Sequence, residues 1–211
     1  MMYKKNKILI ILFLFSIISF QLLLAANPDK SKVYNDMIKK YGKINTISVV
    51  CEDSDNLGNM VINAKQGNKY RIKMNNMEIV TNGKSIWSYS SQRKLVVISS
   101  FVEDDAGISL DNIFFNVIPD LQPISLQSVV SNKKTKQYRL ELHNNKKNSE
   151  IKIIYLYIDD KITKIEGIEI IGNNNKHKVK WDIKKLEINK SMPDSIFIFN
   201  TPEGVEEIDT R

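Results

Sequence analysis

Side chains that could do chemistry are few in this 211-residue sequence, and their spacing argues against most reactions. The two histidines, His143 in ELHNN and His177 in NNNKHK, each sit beside turn residues, with no second histidine or cysteine at metal-ligand spacing. Both read as surface groups. Cys51 is alone, so an internal disulfide is impossible and the core must hold unaided. Glu103, Asp104 and Asp105 form an acidic cluster able to attract a cation, but it lacks the spacing of a calcium loop and reads as solvated. Serines are common, yet no G-x-S-x-G elbow activates one as a nucleophile. The eight glycines are dispersed, mostly at turns, and build no phosphate cradle. The expectation is a protein with no catalytic residues, no metal and no cofactor.

What remains is apolar. At the N-terminus, Lys4, Lys5 and Lys7 precede an uncharged run from Ile8 to Ala26, with Ala25-Ala26 as a cleavage point and Pro28-Asp29 breaking the pattern. This predicts a secretory signal peptide over 1–26 and one mature domain over 27–211. The competing reading is a membrane anchor, since 19 uncharged residues just span a bilayer; Ser16, Ser19 and Gln21 dilute the run. No cysteine follows it directly, so N-terminal lipidation is not expected. Without the leader's three lysines, 28 basic residues stand against 24 acidic ones and the formal charge falls from +7 to +4. With lysines and acids interleaved, no nucleic-acid surface is expected.

The elements that position the apolar groups follow from periodicity. DKSKVYNDMIKKYG places Val33, Tyr34, Met37, Ile38 and Tyr41 at helical spacing, with Asp29 or Ser31 as cap and Gly42 as stop. Beyond Ile44 the period becomes two. MVINAK, KYRIKM, MEIVTNGKSIWSYS, KLVVIS, QYRLELHNN, the long stretch from Ser149 to Asn189, and SIFIFN are strand-like runs separated by Asn-Gly, Gly-Asn and Asp-Asp turns. Ten or eleven strands joined by short antiparallel hairpins are too many for one flat sheet, which favours a mainly β, wrapped or partly closed barrel over a plane. Between Glu103 and Leu126 the alternation lapses around Ile113, Phe114, Phe115, Val117 and Ile118, predicting a short helical excursion that plugs the sheet with the N-terminal helix. IKIIYLYI is apolar on both faces and must be covered on both. A greasy hollow and a fully packed sandwich satisfy that demand equally. Of five methionines beyond the leader, Met37, Met60, Met74 and Met77 lie on the helix and first strands, where soft thioethers suit variable apolar ligands as well as ordinary gap-filling.

Two segments carry a family resemblance. TNGKSIWSYS resembles an Asp-Gly-Lys-x-x-Trp-x-Tyr hairpin with Asn82 in place of Asp, and Phe197, Phe199, Pro202, Gly204 and Val205 form a Phe-x-Phe-x-x-Pro-x-Gly-Val ending. Both resemble the outer-membrane lipoprotein carrier (LolA) family. Where that family often has a basic residue followed by proline, this chain has Lys65, Gln66 and Gly67.

The resemblance implies an open, curled antiparallel β-sheet, an incomplete barrel with helices closing its mouth, and a periplasmic carrier whose hydrophobic cavity takes the acyl chains of lipoproteins. Its partners would be those lipoproteins, an inner-membrane lipoprotein-releasing transporter and, where one exists, an outer-membrane acceptor; a monomer with no nucleic-acid partner is expected. Another exported lipid-binding or envelope-sensing module of the same fold is the alternative, and a structural or adhesive β-domain is a third. Val33, Met37, Tyr41, Met60, Ile62, Tyr70, Ile72, Met74, Trp87, Tyr89, Phe114, Phe115, Leu140, Ile153 and Tyr155 are the expected cavity and lid residues. Val205 and Ile208 are expected to fold back and seal one edge of the cavity.

Overall fold

The computed structural model describes residues 28–53, 58–102, 115, 118–131, 134–146, 149, 151–172 and 178–211. The expected leader, the acidic cluster at 103–105, Phe114 and His177 lie outside the described residues. Helix α1, Lys30–Tyr41, forms where its pattern predicts. The Asp29 carboxylate accepts from the Lys32 amide at 2.7 Å, Lys39 and Lys40 complement the dipole in the last turn, and the Gly42 N–H closes onto Ile38 O. Val33, Met37 and Tyr41, four residues apart, are its buried stripe.

Twelve strands make one sheet among the described residues: β1 Thr46–Asp53, β2 Asn59–Lys65, β3 Lys69–Met74, β4 Met77–Asn82, β5 Ser85–Ser90, β6 Leu95–Ser100, β7 Gln122–Val130, β8 Lys136–His143, β9 Ile151–Asp159, β10 Ile165–Gly172, β11 Lys178–Ile188 and β12 Glu206–Asp209. Two meanders, β1–β6 and β7–β11, join where β11 pairs with β1, giving the order β12-β6-β5-β4-β3-β2-β1-β11-β10-β9-β8-β7. Every pairing is antiparallel except β12 on β6. The ends of the order do not meet, so the sheet is open. It is also strongly curled. Twelve strands are more than an open twisted sheet carries without curling, and one buried cluster runs across it from Tyr70 of β3 to Leu140 of β8 with the α1 stripe packed on it.

Three expectations are corrected. β7 occupies part of the stretch assigned to the excursion; it carries Pro123 at its start, tolerable because β7 is an edge strand with an irregularity between Pro123 and Ser125. SIFIFN is not a strand: after Pro193 the chain makes a 3-10 turn, Asp194–Phe197, and runs on extended. Its alternation is genuine, with Phe197 and Phe199 buried and Ile198 exposed, but side chains meet its backbone instead of a ladder: Lys65 Nζ donates to Met192 O and Arg71 Nη1 to Ile196 O. The strand lies later, at β12, paired in parallel with the β6 edge. Residues 189–205 therefore form a strap across the outer face, and Val205 packs there rather than against the helix side.

Candidate functional site

Register fixes which side chains share the inner face. Ile47, Val49 and Cys51 of β1 stand opposite Ala64, Ile62 and Met60 of β2, which stand opposite Tyr70, Ile72 and Met74 of β3. Across the sheet, Tyr138, Leu140 and Leu142 of β8 pair with Ile158, Leu156 and Ile154 of β9, and the latter two meet Ile168 and Ile170 of β10. With Trp181 of β11 and the α1 stripe these make a nearly water-free floor. The floor continues beyond the helix. On β4, β5 and β6 the same face carries Met77, Ile79, Ile86, Leu95 and Val97 interleaved with Ser88, Ser90 and Ser99. Ile79, Ile86, Leu95 and Val97 are half-buried and Met77 is 50 % exposed, so this wing is an apolar surface left partly open.

Val33, Met37, Tyr41, Met60, Ile62, Tyr70, Ile72, Met74 and Leu140 come together on this face, and Phe115 packs against the same cluster. Four expected residues do not. Trp87 stands opposite Val80, and with Tyr89, Val96, Phe199 and Val205 forms a second cluster on the outer face, where the Tyr89 and Phe199 rings lie 5.3 Å apart. Ile153 and Tyr155 also face out, Tyr155 beneath the Arg139 guanidinium. An irregularity between Ile171 and Gly172 inverts the parity at the start of β9, burying Ile154, Leu156 and Ile158 instead. The sequence holds one usable signal: Tyr155 lies opposite Glu169, which with Lys180 and Asp182 marks the polar face and leaves Trp181 inside.

The hairpin TNGKS is locally determined. Asn82 Oδ1 accepts from Lys84 N and Ser85 N at 2.9 and 3.0 Å, a role aspartate would fill equally, and Thr81 Oγ1 accepts from Gly83 N. Lys65, at the β2–β3 hairpin where the family often has a basic residue followed by proline, bonds Asp194 on the strap.

His143, Glu141 and Ser125 are adjacent, but Glu141 lies between the other two, accepting from Ser125 Oγ at 2.8 Å and contacting His143 Nε2 at 2.7 Å. Burial raises the Glu141 pKa, and the hydrogen bonds from Ser125 and His143 outweigh it, leaving the carboxyl more acidic than usual. The histidine is thus not placed to take the serine proton, which nucleophile activation requires. Among the described residues no three His, Cys, Asp or Glu side chains converge on a metal site.

The family model for the outer membrane lipoprotein carrier protein LolA matches residues 58–200. The chain belongs to the LolA family. No curated protein matches it. Among solved structures, an uncharacterized conserved protein from Thermus thermophilus superposes with TM-score 0.51 at 11% identity, covering 86% of this chain and 99% of that one. A putative outer membrane lipoprotein-sorting protein domain from Vibrio parahaemolyticus gives 0.40 at 10% identity, covering 80% and 97%. A LolA superfamily protein from Nitrosomonas europaea gives 0.36 at 11% identity, covering 79% and 97%. The LolA-family match spans β2 to the strap, which includes most of the inner face.

Proposed function

We propose that this protein is an exported carrier that shields lipoprotein acyl chains on its inner face between the inner and outer membranes, taking them from an inner-membrane transporter and passing them to an outer-membrane acceptor. The observation that supports the reading is the uncovered wing, where Met77, Ile79, Leu95 and Val97 extend the dry floor into a half-exposed apolar shelf. Each methylene removed from water contributes about 0.8 kcal/mol, so a chain of roughly 15 methylenes fully covered would gain on the order of 12 kcal/mol. Half coverage leaves about 6 kcal/mol, a dissociation constant on the order of tens of micromolar. A partly open shelf therefore suits a molecule that must let go.

The test is a photo-crosslinking amino acid placed at Ile79 in cells, with Lys73, on the outer face of β3, as control. Lipoprotein adducts from position 79 and none from position 73 are expected. Equal labelling at both positions, or lipid extracts containing only free fatty acids or phospholipids with no lipoprotein adduct, would overturn the carrier reading in favour of another amphiphile.

A further inference from the structure

The two edges of the sheet are treated differently. At one, the chain's own β12 lies along β6. At the other, β7 ends the order, and it has none of the usual charged protections of an edge: it is nine residues long, QPISLQSVV, without a single charge. Its first half is occupied, because Lys30 Nζ reaches the Ile124 carbonyl at 2.7 Å and α1 packs there. Its second half, Leu126–Val130, meets no further strand among the described residues, and Val130 is 73 % exposed.

We propose that Leu126–Val130 is a docking edge for an extended, acidic peptide segment that adds to the sheet as a thirteenth strand. Charge selects the occupant. In register behind this half of β7 stand Leu140, Arg139, Tyr138, Gln137 and Lys136, so two bases and no acid back the edge, and Lys134 adds a third base at the turn. Two copies of this chain paired edge to edge would bring those cations together, whereas carboxylates on an added strand would meet them. A groove of about 270 Å³ opens at the end of the edge, lined by Val129 and Val130. Deeper in it, Lys180 and Lys184 are balanced by Glu166 and Asp182, so the groove suits an uncharged side chain of the docked segment. Main-chain hydrogen bonds would supply the attraction and the basic backing the selectivity, as in other strand additions.

The full chain is titrated with a fluorescein-labelled seven-residue peptide alternating valine and glutamate, and with its valine–lysine counterpart. The acidic peptide is expected to bind about tenfold more tightly, with amide NMR shifts confined to 126–130 and the groove. Ser128→Pro, which removes an edge N–H, is expected to abolish binding, and the paired change Lys134→Glu with Lys136→Glu, which leaves the edge backbone intact, to reverse the preference. Equal binding of both peptides, no binding, shifts mapping elsewhere, or a dimer in sedimentation equilibrium would each overturn the proposal. None of these readouts depends on lipid loading at Ile79, so the carrier function stands or falls separately.

Discussion

Phe197→Ala is the sharpest probe of how the outer face is held. Phe197 is completely buried, and the strap that carries it packs on β3 and β4. Removing such a ring costs about 3–5 kcal/mol, because the lost transfer free energy is joined by a cavity that the sheet cannot collapse to fill. Against a total stability on the order of 5–15 kcal/mol this is a large share. For a domain of this size it corresponds to a fall in Tm of roughly 6–20 °C. Ile198→Ala, one residue along and 48 % exposed, is the internal control and should change stability by no more than about 0.5 kcal/mol. Urea unfolding followed by circular dichroism measures both, with an unchanged slope required for the comparison. A cost below about 1 kcal/mol for Phe197→Ala would refute the view that the strap is bound by its buried ring.

Asp194 is held at a pKa of about 2 by hydrogen bonds from Lys65 and Lys69. A depressed carboxylate stabilises the fold above its unfolded value near 3.8 and loses that contribution as pH falls toward 2, so Asp194→Asn should flatten the acid limb of the stability curve in that window. Burial, with the Glu169 carboxylate beside it, pushes Tyr157 up to about 12; absorbance at 295 nm should show a tyrosine still protonated near pH 11, and Tyr157→Phe should remove it. That raised value stabilises the fold fully below pH 10 and drains away between 10 and 12. Gly83 has φ +85° and an added Cβ would lie 2.5 Å from the Gly67 carbonyl, so Gly83→Ala should destabilise by about 1–3 kcal/mol in thermal unfolding, while Gly67→Ala, with open space around it, should cost less.

How far the sequence discloses this molecule depends on whether a feature is local. Helix α1 and the TNGKS hairpin are legible because Asp29, Gly42, Asn82 and Gly83 specify them within a few residues. Which face is inside is not. Ile153 and Tyr155 are indistinguishable from Ile154 and Leu156 in a strand apolar on both sides, and a pairing irregularity sets the parity. Trp87 and Tyr89 look like ligand-contacting aromatics until Phe199, more than a hundred residues away, covers them from the outside. The strap reads as a strand because Phe197 and Phe199 alternate, and only the Lys65 and Arg71 contacts to its carbonyls show that it has left the ladder.

Placing the strap outside has a mechanical meaning. Anchored at β11 in the middle of the sheet and again at the β6 edge, it spans the wing like a chord laid over the back of a bent board. Bending the board further inward lengthens that path, and flattening it shortens it. A tether so placed resists the wing curling shut, so the last residues of the chain act as a stop that keeps the shelf from closing on itself.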